Sequence, residues 1–250
     1  MRGWWQELAG LVLPAGCGGC GAAGVLLCPA CAQTLSGAAA GRVRPSPSPA
    51  GLPAVYAAAA YEGAVREVVL AHKERGALPL AGPLGAALAA AVGRAVGAGA
   101  ASVAAGEELV LVPVPSARRQ VRARGHDPAR RTALAAAALL RRAGACARVA
   151  SVLRHVRPVA DQAGLGARER WENLTGALGV CRGGATGFPA TARIVLVDDL
   201  ITTGATLAEA ARALRAASIG PVAGAAVVAA PAGSFVRNRS TTRTEQRSCE

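Results

Sequence analysis

The segment from Arg193 to Ala217 constrains the chain more than any other. Ile194, Val195, Leu196 and Val197 form an apolar run rich in β-branched residues, with no polar alternation. A strand that reads this way is buried on both faces, as in a parallel sheet. Two carboxylates, Asp198 and Asp199, stand at its C-terminal end. The small, hydroxyl-rich run Leu200 to Thr206 follows, and from Leu207 the Ala-rich spacing predicts a helix through Ala217. A strand of this kind needs helices over both faces, so the expected fold class is α/β with a mostly parallel sheet. Ligands of such sheets bind outside the carboxyl ends of the strands, where loops meet helix N-termini.

The loop has its own chemistry. Successive backbone N–H groups at a helix start make an anion-binding concavity. Gly204 lets the backbone approach a phosphate closely, and Thr202, Thr203 and Thr206 add hydroxyl donors. The loop carries no lysine, which excludes a Walker A loop. Two adjacent carboxylates beside a phosphate cradle suit a sugar phosphate, since they accept hydrogen bonds from a cis-diol while the loop holds the phosphate. The alternative is a strand end with two solvated aspartates and an ordinary helix cap at Thr206. The segment Val195 to Asp199 with Thr202-Thr203-Gly204-Ala205-Thr206 resembles the phosphoribosyl-pyrophosphate (PRPP) motif of type I phosphoribosyltransferases. The resemblance implies that Asp198 and Asp199 hold the ribose hydroxyls and Thr202 to Thr206 hold the 5′-phosphate.

Four cysteines come early, as Cys17-x2-Cys20, seven residues, Cys28-x2-Cys31. Four thiolates at this spacing can surround one tetrahedral Zn²⁺, and Gly16, Gly18, Gly19 and Gly21 let the two knuckles turn tightly. With every position filled by Cys, such a site is structural rather than catalytic. Two reducible disulfides, or four free thiols, are the alternatives.

The 250-residue chain is long enough for one well-buried core with a small appendage. Its net charge of +13 comes almost wholly from arginine, Lys73 being the one lysine. A basic balance favours acidic partners such as phosphates or nucleic acid. However, an Ala-, Gly- and Arg-rich bias also follows from a GC-rich gene, and 3% aromatic content argues against a stacking platform for single strands. No segment reads as a membrane span: Ala81 to Ala101 is apolar but rich in Ala and Gly and interrupted by Arg94. The N-terminus lacks the long apolar region and cleavage site of a signal peptide. The expected location is the cytoplasm, where cysteines are reduced or metal-bound.

Along the chain, residues 1–35 read as an amphipathic helix (Trp4 to Leu13) and the cysteine segment, and Ser36 to Pro53 as a Pro/Ser/Gly linker. The main domain spans 54–232, followed by a basic, disordered tail over 233–250. Within the domain, strands are expected at Ala54 to Ala60, Leu109 to Val112, Arg148 to Leu153 and Val222 to Ala229. Helices are expected at Glu62 to His72, Leu80 to Val96 and Pro128 to Ala143, while Leu165 to Leu174, with Arg168, Arg170 and Asn173, is assigned neither an element nor a chemistry. The run from Ala117 to Gly125 shows no packing pattern and reads as a mobile loop. Its Arg118, Arg119, Arg122 and Arg124 are placed to close over a polyanion. His126 and His155 read as polar surface residues, and Cys146 and Cys181 as buried apolar fillers.

The whole order resembles the ComF family of bacterial proteins, also called ComFC or GntX-like. The likeness rests on Cys17 to Cys31, Val112-Pro113-Val114-Pro115, Arg122-Ala123-Arg124-Gly125, Gln162 to Leu165 with Arg170 to Asn173, and Val197 to Thr206. It covers roughly residues 10 to 230. The chain departs from the family after Arg124-Gly125: an aromatic followed by Asn-Gln is usual there, and this chain has His126-Asp127-Pro128. The resemblance implies a type I phosphoribosyltransferase-like domain with a structural zinc, taking PRPP with Mg²⁺ and releasing pyrophosphate to an unassigned acceptor. It also implies a link to DNA uptake in natural competence, with single-stranded DNA or a helicase as partner. The alternative is a non-catalytic protein that senses PRPP or a nucleotide and binds DNA or a helicase partner.

Overall fold

The computed structural model describes residues 16–97, 107–159 and 167–236. The expected helix from Trp4 to Leu13, Gln162, and the tail from 237 onward lie outside the described residues.

In chain order the elements are α1 (Pro29–Thr34), β1 (Gly41–Val43), β2 (Val55–Ala60), α2 (Gly63–Lys73), α3 (Ala81–Val96), β3 (Leu109–Pro113), α4 (Arg118–Arg124), α5 (Pro128–Arg142), β4 (Ala147–Val149), β5 (Leu153–His155), α6 (Ala167–Leu174), β6 (Leu178–Val180), β7 (Arg193–Leu200), α7 (Ala205–Ala216) and β8 (Val222–Ala230). Six strands form one sheet in the order β1-β2-β8-β7-β3-β4, parallel except for β1 at the edge. The chain is therefore mixed α/β around a mostly parallel sheet, as the unbroken apolar strands predict.

The two faces of the sheet are covered by different helices. Leu109, Leu111, Val195 and Val197 turn toward α2, α3 and α5, whereas Val110, Val112, Ile194 and Leu196 turn toward α7. The helix α3 is the one stretch among the described residues long and apolar enough to cross a membrane. Here it is a core helix, with Leu84, Leu88, Ala91 and Val92 buried. Its approach to α5 depends on Gly85, where a Cβ would stand 2.5 Å from the Ala135 Cβ and 2.9 Å from the Ala136 backbone nitrogen.

Several expectations are corrected. The proline-rich stretch before Pro53 contains β1, which pairs antiparallel with β2, Gly41 opposite Ala57 and Val43 opposite Val55. Its Val43 is buried and bridges Phe235, so the start of the expected tail is part of the fold. The single strand expected from Arg148 to Leu153 is two strands in two sheets: β4 joins the main sheet, and β5 pairs antiparallel with β6. Cys146 is exposed and Cys181 half-buried, because both sit in turns beside short strands rather than in the core.

The small β5–β6 sheet is tied to α7 by one buried carboxylate. Glu209 accepts a hydrogen bond from the Leu178 backbone N–H at 3.0 Å and pairs with Arg212 at 2.7 Å; Arg212 in turn donates to the Leu178 carbonyl at 3.0 Å. Burial raises the Glu209 pKa, but Arg212 and the backbone donors outweigh burial and hold it below the ordinary value. That contribution to stability is full above the unfolded value and is lost as pH falls through the folded one. Glu209→Ala should cost about 1–3 kcal/mol, the usual penalty for a buried N–H left without a partner. Denaturant unfolding checks this, and the deficit should shrink toward acid pH.

Candidate functional site

The connections leaving β3 and β7 diverge. After β3 the chain passes to α5 on one face and on to β4; after β7 it passes to α7 on the other face and on to β8. A crevice must open above the C-terminal ends of two such neighbours. It is a cleft of about 560 Å³, lined by Lys73, Pro115, Ser116, Arg119, Gln120, Arg124, His155, Asp198, Asp199, Thr202 and Thr206, among others. That volume suits a small-molecule site.

The acidic pair sits on the last turn of β7. Asp199 is buried, and Lys73 from the C-terminal end of α2 holds it, with Nζ 2.7 Å from Oδ2 and 3.1 Å from Oδ1. Asp198 accepts the Asp199 backbone N–H at 2.8 Å. Burial first, then the neighbouring Asp199 charge, push the Asp198 carboxyl well above the ordinary range. Burial opposes the charge on Lys73, but Asp199 and Asp198 outweigh it and raise the lysine pKa. The pair therefore sets one carboxylate bound to a cation beside a carboxyl group whose charged form is disfavoured.

Gly204 caps α7 in the left-handed region at φ 77°. A Cβ there would stand 2.9 Å from Leu52 and 3.3 Å from Pro45, so this tight turn requires glycine. The first-turn N–H groups of α7 have no intrahelical acceptor and form the positive end of its dipole. Thr202 and Thr206 line the cleft, whereas Thr203 and Ala205 face a separate, more apolar hollow beside Pro47 to Ala50 and Trp171. The expected loop residues thus divide between two sides of the turn.

The arginine segment is also corrected. Residues 118–124 form the helix α4 instead of a mobile loop, ended by Gly125 at φ 75°. Helical spacing separates the four arginines. Arg119 and Arg124 line the cleft together with Gln120 and Ala123, while Arg118 and Arg122 are exposed on the opposite side. Arg124 is partly committed, since its Nε and Nη2 grip Glu74 at 2.9 and 2.7 Å. Its Nη1 is buried with no partner, as is Nδ1 of His155. Two orphaned polar atoms on the wall of one cleft are the expected mark of a ligand that completes them.

Both histidine expectations fail. His155 is half-buried in the cleft wall, with Nε2 3.1 Å from the Pro115 carbonyl, and His126 is buried beneath α4. Sequence reasoning also passed over Lys73. The signal was a lone lysine in a chain with 28 lysine and arginine residues together. Of the remaining residues, Asn173 lies on α6 with its carbonyl accepting from Arg157 at 2.9 Å. For Arg170 the backbone alone is described, as part of α6.

The four-cysteine cluster is a second centre. The sulfurs of Cys17, Cys20, Cys28 and Cys31 all lie within 4.8 Å of one another, and Cys20 and Cys28 are 3.6 Å apart. Tetrahedral ligands at about 2.3 Å from Zn²⁺ stand roughly 3.8 Å from each other, so the donor set fits the ion. Burial raises the Cys17 thiol pKa, but N–H donors from Cys20, Cys28 and Gly19 outweigh it and bring it to about 6; burial and the neighbouring thiols push Cys31 up to about 12. Four sulfurs this close ionise together only around a cation. The knuckle rests on the main domain, for a Cβ at Gly18 would stand 2.7 Å from Leu80 and one at Gly19 3.2 Å from the Ala64 Cβ.

Elemental analysis of untagged protein should find one zinc per chain. Cys31→Ser should lose most of it, and a strong chelator should lower the Tm of the wild type while leaving that variant nearly unmoved. Wild-type protein with far less than one equivalent of any metal refutes the site. Searches against models of known protein families and against curated proteins found no match to this chain.

Proposed function

We propose that the chain is a phosphoribosyltransferase-like protein of the ComF kind, which binds PRPP with Mg²⁺ in the cleft between β3 and β7. The observation that carries this reading is the composition of that one cleft. A carboxyl pair, a glycine-capped helix start with threonine hydroxyls, and a cationic wall with an unsatisfied arginine N–H line it together. A ribose phosphate bearing a pyrophosphate offers a diol, a phosphate monoester and a more highly charged pyrophosphate end, and each has a counterpart here.

In this reading the start of α7, with Thr202 and Thr206, takes the 5′-phosphate. Asp199 and Asp198 accept hydrogen bonds from the ribose diol. Arg119 and Arg124, above Pro115 and Ser116, face the pyrophosphate. A Mg²⁺ bound together with PRPP would supply charge neutralisation at the pyrophosphate, on the wall formed by Arg119 and Arg124. The C1–O bond breaks with its electron pair leaving on pyrophosphate, and a lone pair of the acceptor forms the new bond to C1. The residues bind and orient, and the Asp198–Asp199 pair stabilises the positive charge that develops at the sugar. Lys73 occupies Asp199 until substrate arrives. Once displaced, its ammonium remains a charge on the cleft wall.

A second reading is a sensor that binds PRPP and DNA or a helicase partner. It is favoured by Arg118 and Arg122, exposed on the side of α4 that faces away from the cleft. In that case PRPP should change the affinity for single-stranded DNA, a coupling that salt dependence alone does not reveal.

Calorimetry of PRPP with Mg²⁺ into the zinc-loaded chain should show saturable binding. Replacing both Asp198 and Asp199 by Ala should abolish it, with far-UV circular dichroism unchanged. Equal binding by the variant refutes the placement, and no binding by the wild type refutes the function.

A further inference from the structure

His126 stands where the resemblance leads one to expect an aromatic residue, and its surroundings are unusual for a neutral imidazole. The ring is 8% exposed. Its Nδ1 lies 3.1 Å from the Arg124 carbonyl oxygen and its Nε2 3.1 Å from the His72 carbonyl oxygen. Carbonyl oxygens only accept, and a neutral imidazole carries one N–H. Both bonds form together only when both nitrogens are protonated. In the neutral ring one lone pair would face a carbonyl lone pair in a buried setting.

Both carbonyls lie at helix C-termini. Arg124 ends α4, and His72 stands in the last turn of α2. These ends leave carbonyls without intrahelical donors and carry the negative pole of the helix dipole, so a cation between them is favoured twice. The groups facing the ring are consistent with a charge there. The His72 ring lies 5.4 Å away, centroid to centroid, tilted by 57°. Burial, chiefly, and the charges of His126 and Arg131 on α5 hold the His72 pKa down, although its bond to the Ala77 carbonyl works the other way. The charged form of His72 is therefore disfavoured beside His126. Lys73 and Arg124 are cations, each already paired with a carboxylate, Asp199 and Glu74 respectively. Asp127 turns away to cap α5 through the Arg130 N–H.

We propose that His126 is a positioning residue: as an imidazolium it clasps α2 to α4, fixing Lys73 and Arg124 on adjoining walls of the cleft, and the clasp opens when the ring loses its proton. An aromatic at this position fills the same space but bonds neither carbonyl. The clasp itself stands without any assigned ligand; its effect on PRPP affinity rests on the function proposed above.

The chain has three histidines, His72, His126 and His155, so ring spectra of the untagged, zinc-loaded, ¹⁵N-histidine-labelled protein are simple to assign, with His126→Phe identifying the missing signal. Long-range ¹H–¹⁵N spectra should show His126 protonated on both nitrogens at about pH 6. Raising the pH toward about 9 should remove one His126 proton, and hydrogen exchange of the α4 amides should quicken by roughly tenfold or more in the same range, beyond the base-catalysed rise seen in an unstructured control. His126→Phe should exchange fast at both ends of that range, and His126→Gln, which keeps donors for one carbonyl, should fall between. PRPP with Mg²⁺ should bind the wild type more tightly at the acid end, with the variant weaker and nearly flat. A neutral His126 ring at about pH 6 overturns the clasp. So does α4 exchange that ignores both its deprotonation and its replacement. A charged clasp with equal PRPP affinity in wild type and His126→Phe overturns the positioning role. Failure of the wild type to bind PRPP at any pH refutes the proposed function instead, and the clasp is then decided by the ring spectra and exchange alone.

Discussion

Two neighbouring parallel strands whose continuations leave to opposite faces of a sheet cannot close the space above their ends. In this chain β3 and β7 are that pair, and Asp198, Asp199, Thr202, Thr206, Arg119 and Arg124 line the opening that their separation leaves. Their side chains alternate between two helical layers, Val195 and Val197 to one and Ile194 and Leu196 to the other. A polar substitution has no outlet on either face, so all polarity is driven to the strand ends. The acidic pair lies where burial of the strand stops, which is why Asp199 remains buried and needs Lys73.

The strand, turn and helix around Asp198 were legible because each part announces itself locally: an unbroken β-branched run, a glycine that must take positive φ, then an Ala-rich helical spacing. The cysteine knuckles were legible for the same reason, since their spacing is itself the geometry. The cleft's other wall was not. The helix α4 has seven residues and carries polar side chains toward the cleft as well as toward solvent, so it lacks the apolar stripe that marks a helix. The strand β1 has three residues and lies within a proline-rich run. Lys73 and Asp199 are 126 positions apart, and nothing local in either segment refers to the other. His126 read as a surface residue because its two partners are backbone carbonyls, which no side-chain pattern reveals.

Small side chains make the arrangement possible. Aromatic residues are 3% of the chain, and the layers are filled by alanine and valine. Short side chains let backbones approach closely, as at Gly85 against Ala135, and such contacts leave little room for relaxation. Elements that supply site residues are therefore anchored through specific polar links rather than bulk: Glu209 with Arg212 for β6, Lys73 with Asp199 for α2, and Glu74 with Arg124 for α4. The cysteine knuckle, resting on Leu80, adds an anchor close to α2, and its four sulfurs are close enough to hold a metal ion.

The single lysine is informative for the same reason. In a chain that uses arginine almost everywhere else, position 73 carries a compact ammonium on a flexible stem. An arginine there would grip Asp199 through two parallel N–H bonds, a geometry that resists exchange for a diol. An ammonium neutralises the same carboxylate as a point charge and can swing aside without breaking a fixed fork. It also leaves its charge inside the cleft when it moves, beside Arg119 and Arg124. A lysine thus stabilises Asp199 without locking it in a bidentate grip, and in the function proposed above that leaves the carboxylate available to the ribose diol.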